Sequence, residues 1–543
     1  MDNAQQLRTV GIFLFFCICY SVVILNLFFM QIYQHAFFYD LAEKQYKTTI
    51  THTPERALIF DRNNTPIALN KKAVSAFICP NKCMNDEQLF SFLHLYFPQA
   101  YIRYQTKPDA SFMFIQRNLT KEQIDLIKTY GTDHIQFIKE PHRHYPFACL
   151  SSIIGITNID NIGSLGIEYL FDTNLKGKPT SYTLQKDARS GYFYFDKVDK
   201  CIGNNGNPIN VTIDADLQFL VQEELQNTVQ KFNAQQGSVL VFDPTNGDIL
   251  VMANYPTFDP NNTQNVNLKL TKNYCISEQY ELGSVIKVFA ALAALQENVV
   301  DIDEEIDCKN SKTTYIDGRR INTTIAHGTL TFSQVIEKSN NIGIALVAKR
   351  LNEKLYEHYQ RVGFGIKTDI HLPGEQKGFI NPPKDWSQQS VISLSYGYEI
   401  TTTLLQLARA FSVIANDGYM VQPRIILNQQ QPIFSTRLYD QSVINDIKQI
   451  LQRTTLQGTA RRARMQGYDI MCKTGTANLL ENGIYIDTKN SYSCAGIIQK
   501  DDYKRIIITY IKEASMPGLY ASQVAVPLFE KVAQKTVIHD KII

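Results

Sequence analysis

The chain lacks a charge imbalance, because 54 Lys and Arg residues face 52 Asp and Glu residues and leave a net charge of +2. This balance gives no electrostatic reason to expect a nucleic acid partner. The ten Cys residues form no repeated C-x-x-C pairs and no Cys/His cluster at zinc spacing, so we predict no metal and no cofactor. Outside the apolar N-terminal run, Cys79 and Cys83 are the only close pair, and their pairing as a disulfide stays open.

Long apolar runs are also scarce, and the sequence has one, near its N-terminus. Residues 9–39 contain no Asp, Glu, Lys or Arg, and they exceed the roughly 20 residues that a helix needs to cross a bilayer. A cleaved signal peptide has a shorter apolar core and a small-residue cleavage site. We therefore predict an uncleaved membrane helix at 10–32 after a tail at 1–9. Arg8 before the run and Asp40 after it place the tail in the cytoplasm and the remainder outside.

Near residue 205 the sequence changes from irregular, mixed patterns to well-defined helix and strand patterns. This change predicts two further modules. Residues 33–205 mix short helix and strand patterns, and we predict an irregular α/β pedestal or interaction domain. Residues 206–543 start with a helix and a hairpin around Pro244-Thr-Asn-Gly247, and they continue as a helical block to about residue 415 with loops at 310–322 and 372–385. They end in three strands and a helix. This order predicts an α+β domain in which helices flank an antiparallel sheet.

The stretch Gly283-Ser-Val-Ile-Lys287 places a hydroxyl and an amine three residues apart. If a helix runs from Ser284 onward, both side chains lie on one face, and the serine lies near the helix N-terminus, which favours negative charge. A serine nucleophile needs such a base, and it needs such a field for its oxyanion. Alone, however, S-x-x-K usually marks the start of a helix with an exposed lysine.

Two further motifs follow along the chain. Ser339-Asn-Asn341 lies between two helical patterns, and Lys473-Thr-Gly-Thr476 lies at the end of an apolar strand. Each of them alone is usually a helix cap or a turn. S-x-x-K, S-x-N and K-T-G each occur once, in this order. The corresponding set is found in penicillin-binding proteins and class A β-lactamases, which favours a catalytic interpretation.

The sequence resembles the class B penicillin-binding proteins, which are monofunctional peptidoglycan D,D-transpeptidases. This resemblance implies a membrane anchor, a dimerisation-type pedestal and a penicillin-binding transpeptidase domain. Besides the three motifs and the anchor, it extends to Pro54-Glu-Arg56, Asp61-Arg62, Gly166-x-Glu168, the hairpin at 237–254, Gly363-Phe-Gly365, Leu372-Pro-Gly-Glu375, Ser395-Tyr-Gly-Tyr398 and Gln406-Leu-Ala-Arg-Ala410.

The resemblance implies a catalytic role for four motif residues. Ser284 would attack the carbonyl between the two terminal D-alanines of a stem peptide and release the last one. Lys287 would accept the serine proton, because burial lowers the pKa of a lysine. Ser339 and Lys473 would complete a proton path to the leaving amine.

Substrate binding is implied for the residues around this nucleophile. The side-chain amide of Asn341 would hold the substrate backbone, and the third motif would bind the terminal carboxylate. The implied substrate-binding residues are Asn341, Thr474, Gly475 and Thr476. The backbone N–H groups of Ser284 and Thr476 would form the oxyanion hole.

Two residues depart from the family pattern. Leu282 stands where the family commonly has Pro, and Cys472 stands where a Gly usually precedes the lysine. Strand alternation points Cys472 away from Lys473, which favours core packing, and a modifiable thiol beside the active site is the alternative. If Cys472 is packed in the core, a thiol-alkylating reagent should leave penicillin acylation intact.

The resemblance implies a serine acyl-enzyme that cross-links D-Ala-D-Ala stem peptides, takes β-lactams as covalent inhibitors and works on the outer side of a bacterial cytoplasmic membrane. Residues 40–200 hold no segment of glycosyltransferase size, so a membrane-embedded glycosyltransferase and division or elongation proteins are the expected partners. Gly166–Asp172 and Gly458-Thr-Ala460 resemble the division type. The alternatives are an elongation-type transpeptidase, a D,D-carboxypeptidase or β-lactamase, and a non-turnover β-lactam sensor or scaffold.

Overall fold

The computed structural model describes residues 3–83, 86–186, 193–262, 266–427, 431–481, 484–515 and 518–541. They belong to two structural units. One unit consists of Met1–Arg56 with Lys176–Gly206, and the other consists of Ala57–Leu175 with Asn207–Ile543. The module boundaries proposed from sequence texture stay predictions, because these units divide the chain by spatial proximity.

Helices occur along the whole chain, and the α-helices of the described residues are listed here in chain order. They are α1 (Asn3–Phe28), α2 (His35–Tyr46), α3 (Glu87–Tyr96), α4 (Pro98–Thr106), α5 (Lys121–Tyr130), α6 (Ser151–Ile154), α7 (Gly166–Leu170), α8 (Asp172–Lys176), α9 (Ala215–Lys231), α10 (Tyr274–Ser277), α11 (Lys287–Gln296), α12 (Phe332–Glu337), α13 (Asn341–Leu351), α14 (Lys354–Arg361), α15 (Ser390–Ser395), α16 (Leu404–Ala415), α17 (Gln441–Leu456) and α18 (Ala525–His539).

The strands of the described residues follow the same order. They are β1 (Lys47–His52), β2 (Ile59–Phe60), β3 (Pro66–Ile78), β4 (Met113–Gln116), β5 (Gln136–His144), β6 (Thr180–Lys186), β7 (Phe193–Cys201), β8 (Ile209–Asn210), β9 (Gln236–Phe242), β10 (Ile249–Tyr255), β11 (Glu305–Asp307), β12 (Thr313–Ile316), β13 (Arg319–Asn322), β14 (Thr329–Thr331), β15 (Phe379–Ile380), β16 (Ile400–Thr401), β17 (Tyr419–Val421), β18 (Phe434–Arg437), β19 (Asp469–Glu481), β20 (Ile484–Lys500) and β21 (Tyr503–Lys512).

The first unit contains the apolar N-terminal helix and a small sheet. α1 continues through a π-helical turn at Phe29–Tyr33. Within the described part of the chain, Gln6–Tyr33 is the one helical segment that is long and apolar enough to cross a membrane, and its side chains are exposed. It contains the predicted span at 10–32. Strands β1, β6 and β7 pair antiparallel in that order.

The pedestal part of the second unit is built on β3, which pairs with β2, β4 and β5. α3, α4 and α5 share a separate apolar core with residues of β3 and β4. The turn after β2 is closed by Asp61, whose carboxylate accepts the N–H groups of Asn63 and Thr65. The same carboxylate accepts the N–H of Ala215 at 3.2 Å. Asp61 therefore links this turn to the start of α9.

A five-stranded antiparallel sheet with the order β10-β9-β21-β20-β19 forms the centre of the second unit. Both faces of this sheet are covered, which explains the continuous apolar strands in the sequence. Ile507 of β21 belongs to the core beneath α9 and α18, whereas Ile506 and Ile508 belong to the larger core that contains α11 and α16. This arrangement is the predicted α+β architecture.

One predicted loop is wrong. Residues 310–322 were expected to be irregular, yet they contain the hairpin of β12 and β13. The connecting residues Asp317 and Gly318 have φ values of +50° and +77°. An Asp-Gly pair is a strong signal for a two-residue hairpin turn, because both central residues need positive φ. The hairpin ends at Asn322, which reaches the active site.

Candidate active site

The first motif forms a tight turn, and the predicted helix begins three residues later than expected. Ser284 lies in a 3-10 turn at Gly283–Val285, and α11 starts at Lys287. Gly283 has a φ of +52°, which an α-helix cannot include. A Cβ on Gly283 would lie 3.0 Å from the Thr476 carbonyl oxygen. The missing side chain therefore lets the turn lie directly against β19.

Ser284 is half-buried, and its hydroxyl has no hydrogen-bond partner among the residues that the structure describes. Val285 and Ile286 beside it are buried in the larger core. The turn is therefore anchored by these apolar neighbours, while the Ser284 hydroxyl stays available. An unengaged hydroxyl at the edge of a packed core is what a nucleophile requires before its substrate arrives.

Lys287 is completely buried, and its amine contacts the second motif. Its Nζ donates to the Ser339 carbonyl oxygen at 2.7 Å, to Ser339 Oγ at 3.3 Å and to Asn341 Oδ1 at 2.5 Å. Burial lowers the pKa of Lys287 well below its ordinary value, and the nearby charge of Lys473 lowers it further. A lysine with a lowered pKa is neutral over a wider pH range, and its lone pair can then accept a proton.

Ser339 occupies the junction between α12 and α13, as predicted. Its φ of +58° is a left-handed conformation, which is strained for a residue other than glycine and is concentrated at functional sites. The cap of α13 is Asn340, whose side chain accepts the N–H of Gly343 at 2.9 Å. Ser339 itself is thus not used as a helix cap, and its hydroxyl faces the two lysines.

Asn341 starts α13 with its side-chain amide fixed at both ends. Its Oδ1 accepts from Lys287, and its Nδ2 donates to the Asn322 carbonyl oxygen at 2.6 Å. The second proton of that Nδ2 is free to meet a substrate carbonyl, because an amide nitrogen carries two donors.

Lys473 is the second fully buried lysine of the site. Its Nζ donates to Ser339 Oγ at 2.9 Å and to the Thr474 carbonyl oxygen at 3.1 Å. Burial lowers the pKa of Lys473 to about 8. Ser339 Oγ therefore lies within hydrogen-bond distance of both lysine amines. Two ammonium groups this close repel each other, so the arrangement favours one charged and one neutral amine.

The third motif lies within β19, which forms the edge of the central sheet. Among the described strands, β19 pairs only with β20, so its other edge is open. Thr474 Oγ1 is 2.7 Å from Thr459 Oγ1, and Thr476 Oγ1 accepts the N–H of Ala521 at 3.1 Å. A Cβ on Gly475 would lie 2.3 Å from the Leu282 carbonyl oxygen, so only glycine lets the turn at Gly283–Val285 pack here.

Leu282 and Cys472, the two departures from the family pattern, are both buried in apolar cores. The sulfur of Cys472 lies 3.5 Å from Thr455 Oγ1, and the residue has no exposed surface. This burial supports the packing interpretation of Cys472. Cys79 and Cys83 are free thiols, and Cys83 Sγ donates to the Cys79 carbonyl oxygen at 3.2 Å.

Two protein-family models match the chain. The model described as the penicillin-binding protein transpeptidase domain matches residues 237–534, which include all three motifs. The chain belongs to the penicillin-binding protein transpeptidase family. The penicillin-binding protein dimerisation domain model matches residues 51–211. The resemblance to class B penicillin-binding proteins and the predicted α+β fold are therefore confirmed.

Two relatives of this penicillin-binding protein are named for the same activity. Probable peptidoglycan D,D-transpeptidase PbpC of Pseudomonas aeruginosa is 29% identical over 93% of this chain and 90% of its own length. Peptidoglycan D,D-transpeptidase FtsI of Escherichia coli K12 is 28% identical over 87% of this chain and 82% of its own length. The chain is a peptidoglycan D,D-transpeptidase of the class B type, and its apolar N-terminal helix makes it a membrane-anchored one.

Solved penicillin-binding proteins share the fold. Penicillin-binding protein 3 of Mycobacterium tuberculosis, solved in complex with aztreonam, has a TM-score of 0.70 and 24% sequence identity. The match covers 91% of this chain and 98% of that one. At this identity the similarity concerns the fold alone.

Two contributors to the site were missed as site residues from the sequence. A Cβ on Gly397, which has a φ of +91°, would lie 2.2 Å from the Gly283 carbonyl oxygen, so Gly397 supports the turn that carries Ser284. Thr459 contacts the third motif through Thr474. Both lie in stretches that resemble the family, Ser395-Tyr-Gly-Tyr398 and Gly458-Thr-Ala460, and that likeness was the available signal.

Proposed function

We propose that Ser284 is the acyl-enzyme nucleophile of this transpeptidase and that Lys287 is its base. The observation that carries the proposal is the complete burial of Lys287 beside a second buried lysine, Lys473, with its pKa lowered well below the ordinary value. As a neutral amine, Lys287 has two protons, which suit the Ser339 carbonyl oxygen and Asn341 Oδ1, its two closest acceptors. Its lone pair is then left to take the proton of Ser284.

Acylation follows from this arrangement. Ser284 Oγ attacks the carbonyl carbon between the two terminal D-alanines, and its proton passes to Lys287. The backbone N–H groups of Ser284 and Thr476 hold the oxyanion as the carbonyl becomes tetrahedral. The C–N bond then breaks, and the leaving nitrogen takes a proton through Ser339 Oγ, which lies between Lys287 and Lys473.

The open edge of β19 receives the donor peptide. Its backbone from Thr474 to Thr476 offers N–H and C=O groups that an extended peptide can pair with, as in strand addition to a sheet. Asn341 donates its remaining amide proton to the peptide, and Thr474 and Thr476, with the charge of Lys473, bind the terminal carboxylate. Because Gly475, between the two threonines, lacks a side chain, the turn that carries Ser284 can lie close to this edge.

β-Lactams acylate the same serine in this proposal. A β-lactam presents a strained amide and a carboxylate in the positions of the D-Ala-D-Ala amide and terminal carboxylate, so it meets the same groups. A related penicillin-binding protein 3 has been solved with the β-lactam aztreonam. We expect this adduct to persist on a transpeptidase and to be hydrolysed rapidly on a β-lactamase.

Labelling with a fluorescent penicillin tests this mechanism. We expect a stable adduct on the wild-type protein and none on Ser284→Ala. Release of the label within seconds would favour a β-lactamase, and a labelled Ser284→Ala variant would overturn the assignment of the nucleophile. A D,D-carboxypeptidase is separated from a transpeptidase by offering an acceptor amine together with a stem-peptide donor, because only the transpeptidase forms the cross-linked dimer.

We also propose that the protein acts at the septum, with its catalytic domain on the extracytoplasmic side of a bacterial cytoplasmic membrane. The charges around the anchor support this orientation, and the stretches Gly166–Asp172 and Gly458-Thr-Ala460 support the division type. A membrane-embedded glycosyltransferase is the proposed partner. Depletion should give filamentous cells, whereas rounded cells would indicate the elongation type. A reporter fused after residue 40 should be active only outside the cytoplasm.

A further inference from the structure

The membrane helix carries one side-chain amide within its apolar span. Asn26 belongs to α1, and its side chain is exposed in the structure. It lies five residues past residue 21, the midpoint of the span 10–32, which corresponds to about 8 Å along a helix. Half of the hydrocarbon core is about 15 Å thick, so Asn26 lies inside it. An unpaired amide at this depth costs free energy, and it therefore indicates a partner within the membrane.

Ser21, which is also polar and lies near the middle of the helix, needs no such partner. A serine hydroxyl is short and can donate to the carbonyl oxygen four residues before it in the same helix. An asparagine amide carries two donors and an acceptor, which its own helix cannot all satisfy. Among the residues that the structure describes, none forms a hydrogen bond with the Asn26 side chain. Asn26 is therefore the position at which this helix requires a contact from outside.

Asn26 belongs to one face of α1. Residues that are three, four and seven positions apart share a face of an α-helix. Five residues follow one another at alternating intervals of three and four, and they form the Asn26 seam: Ile12, Phe15, Cys19, Val22 and Asn26. Their side chains are exposed. This spacing is that of the a and d positions at which two helices pack against each other in a left-handed coil.

A second copy of this chain fits the Asn26 seam. The charges beside the span give every copy the same orientation, so two copies pair as parallel helices, and each seam residue can face its own counterpart. Because an amide is both a donor and an acceptor, two Asn26 side chains can hydrogen-bond to each other. The seam contains no charged residue, so it does not repel an identical helix. A different helix would need a polar group at this one depth.

We propose that α1 forms a parallel homodimer in the membrane through the Asn26 seam, with the two Asn26 amides hydrogen-bonded to each other. The seam lies outside residues 51–211, which the dimerisation domain model matches, so this contact is separate from any contact made by the pedestal. It does not depend on Ser284 being the nucleophile. Such a pair holds two copies of the transpeptidase at one place in the membrane.

The helix contains two cysteines that can report this contact. Cys19 lies on the seam one heptad before Asn26, whereas Cys17 lies about 160° away around the helix. The full-length protein is reconstituted in vesicles of phosphatidylethanolamine and phosphatidylglycerol and is oxidised by air with copper–phenanthroline. Cys201→Ser is present throughout, because Cys201 is the other exposed cysteine. We expect disulfide-linked dimers that Cys17→Ser retains and Cys19→Ser loses.

Asn26→Leu tests the amide itself. We expect this variant to raise the dissociation constant of the dimer about tenfold, measured from the cross-linked fraction at several protein-to-lipid ratios. Asn26→Gln should retain most of the association, because it keeps the amide. Ser21→Ala is the matched control outside the seam and should leave the dissociation constant unchanged. Leucine makes the helix more apolar, so a loss in Asn26→Leu cannot come from poor insertion.

Equal cross-linking through Cys17 and Cys19 would contradict the proposal, because it would indicate random collision of the helices. Association of Asn26→Leu as strong as that of the wild type would show that the amide makes no contact, and it would overturn the proposal as well. The reconstituted protein can also stay monomeric while Cys19 cross-links to a different protein in native membranes. That result would assign the seam to a helix of the other protein, and the homodimer would be wrong.

Discussion

At the scale of single residues, the site is defined by one hydroxyl between two buried amines. Ser339 Oγ lies 3.3 Å from Lys287 Nζ and 2.9 Å from Lys473 Nζ. Burying a lysine without a carboxylate partner costs free energy, because the ammonium form loses its hydration. The same burial makes each amine a stronger proton donor when it is charged. Burial therefore favours proton transfer at these two positions but lowers the free energy of unfolding.

Replacing Lys473 by methionine should show this opposition. We expect Lys473→Met to raise the melting temperature at pH 7 and to abolish cross-linking. The lysine has a pKa of about 8 in the fold against 10.5 as the reference value. A change of one pKa unit corresponds to about 1.4 kcal/mol, so the relief is on the order of 1–3 kcal/mol after the lost hydrogen bonds are counted.

The advantage of this variant should depend on pH. Between about pH 8 and pH 10.5 the unfolded wild-type chain binds more protons than the folded one, so wild-type stability rises with pH. The difference between the variant and the wild type should therefore shrink over this window. Thermal unfolding in detergent at several pH values checks it, and a variant that melts below the wild type at pH 7 would contradict the argument.

Lys287 should set the pH dependence of acylation. The base must be neutral, so the rate of penicillin acylation should rise with pH and level off well below the ordinary lysine pKa. Lys287→Arg should lower the rate at least about a thousandfold, because a guanidinium does not lose its proton in proteins. The second-order acylation rate constant measures both effects. A rate of Lys287→Arg close to the wild-type rate would show that another group is the base.

At the scale of elements, the turn at Gly283–Val285, which carries Ser284, is held by backbone contacts. Gly397 approaches Gly283, and Gly475 approaches Leu282, in each case so closely that a Cβ would overlap a carbonyl oxygen. The turn, the segment after α15 and strand β19 therefore fit together without intervening side chains. This fit positions Ser284 more rigidly than side-chain packing would.

Gly397→Ala should displace the turn and lower penicillin acylation at least tenfold. Gly467→Ala is the matched control, because Gly467 has a similar φ of +82° and no atom within 4 Å of an added Cβ. Both variants carry the strain of a left-handed residue, about 1 kcal/mol. Only Gly397→Ala adds the overlap with Gly283. Equal acylation by the two variants would mean that the close approach does not position Ser284.

The sequence permitted a prediction of the motifs but not of what joins them. The order of S-x-x-K, S-x-N and K-T-G predicts Ser284, Ser339 and Lys473 as site residues, because each motif is short and local. The helix expected from Ser284 starts at Lys287, because the motif first passes through a 3-10 turn whose close packing against β19 is a tertiary contact. The contact of Thr459 with Thr474 joins two elements that are separate in the fold. Local sequence periodicity cannot predict such a contact.

At the scale of the whole molecule, the pedestal contains its own buried ion pair. Arg143 of β5 donates from Nε to Glu168 of α7 at 2.6 Å, and both side chains are almost completely buried. Glu168 belongs to the Gly166-x-Glu168 segment, which the sequence offered only as a resemblance. In the structure it joins a strand to a helix within one unit, far from any of the catalytic motifs in the sequence.

Glu168→Gln should destabilise the protein by about 3–5 kcal/mol, because it leaves Arg143 buried without its countercharge. Glu140→Gln provides a control on the same strand, because Glu140 pairs with Arg117 where both side chains are 21% exposed and solvent screens the pair more than at Glu168. Thermal unfolding compares the two variants, and the smaller loss is expected for Glu140→Gln. Similar melting temperatures would show that the buried pair adds no more than the half-buried one. Penicillin labelling of the surviving folded protein should be unchanged in both.

If β-lactams acylate Ser284 as proposed, the glycine contacts around this residue also limit how the protein can change under selection by such an inhibitor. At Gly283, Gly397 and Gly475 the space for a Cβ is already occupied or nearly so. We expect a substitution there to lower acylation by the stem peptide and by a β-lactam alike, so it offers no route of escape. We expect variants that discriminate between substrate and inhibitor at the margin of the site instead, for example at Thr459, whose side chain contacts Thr474.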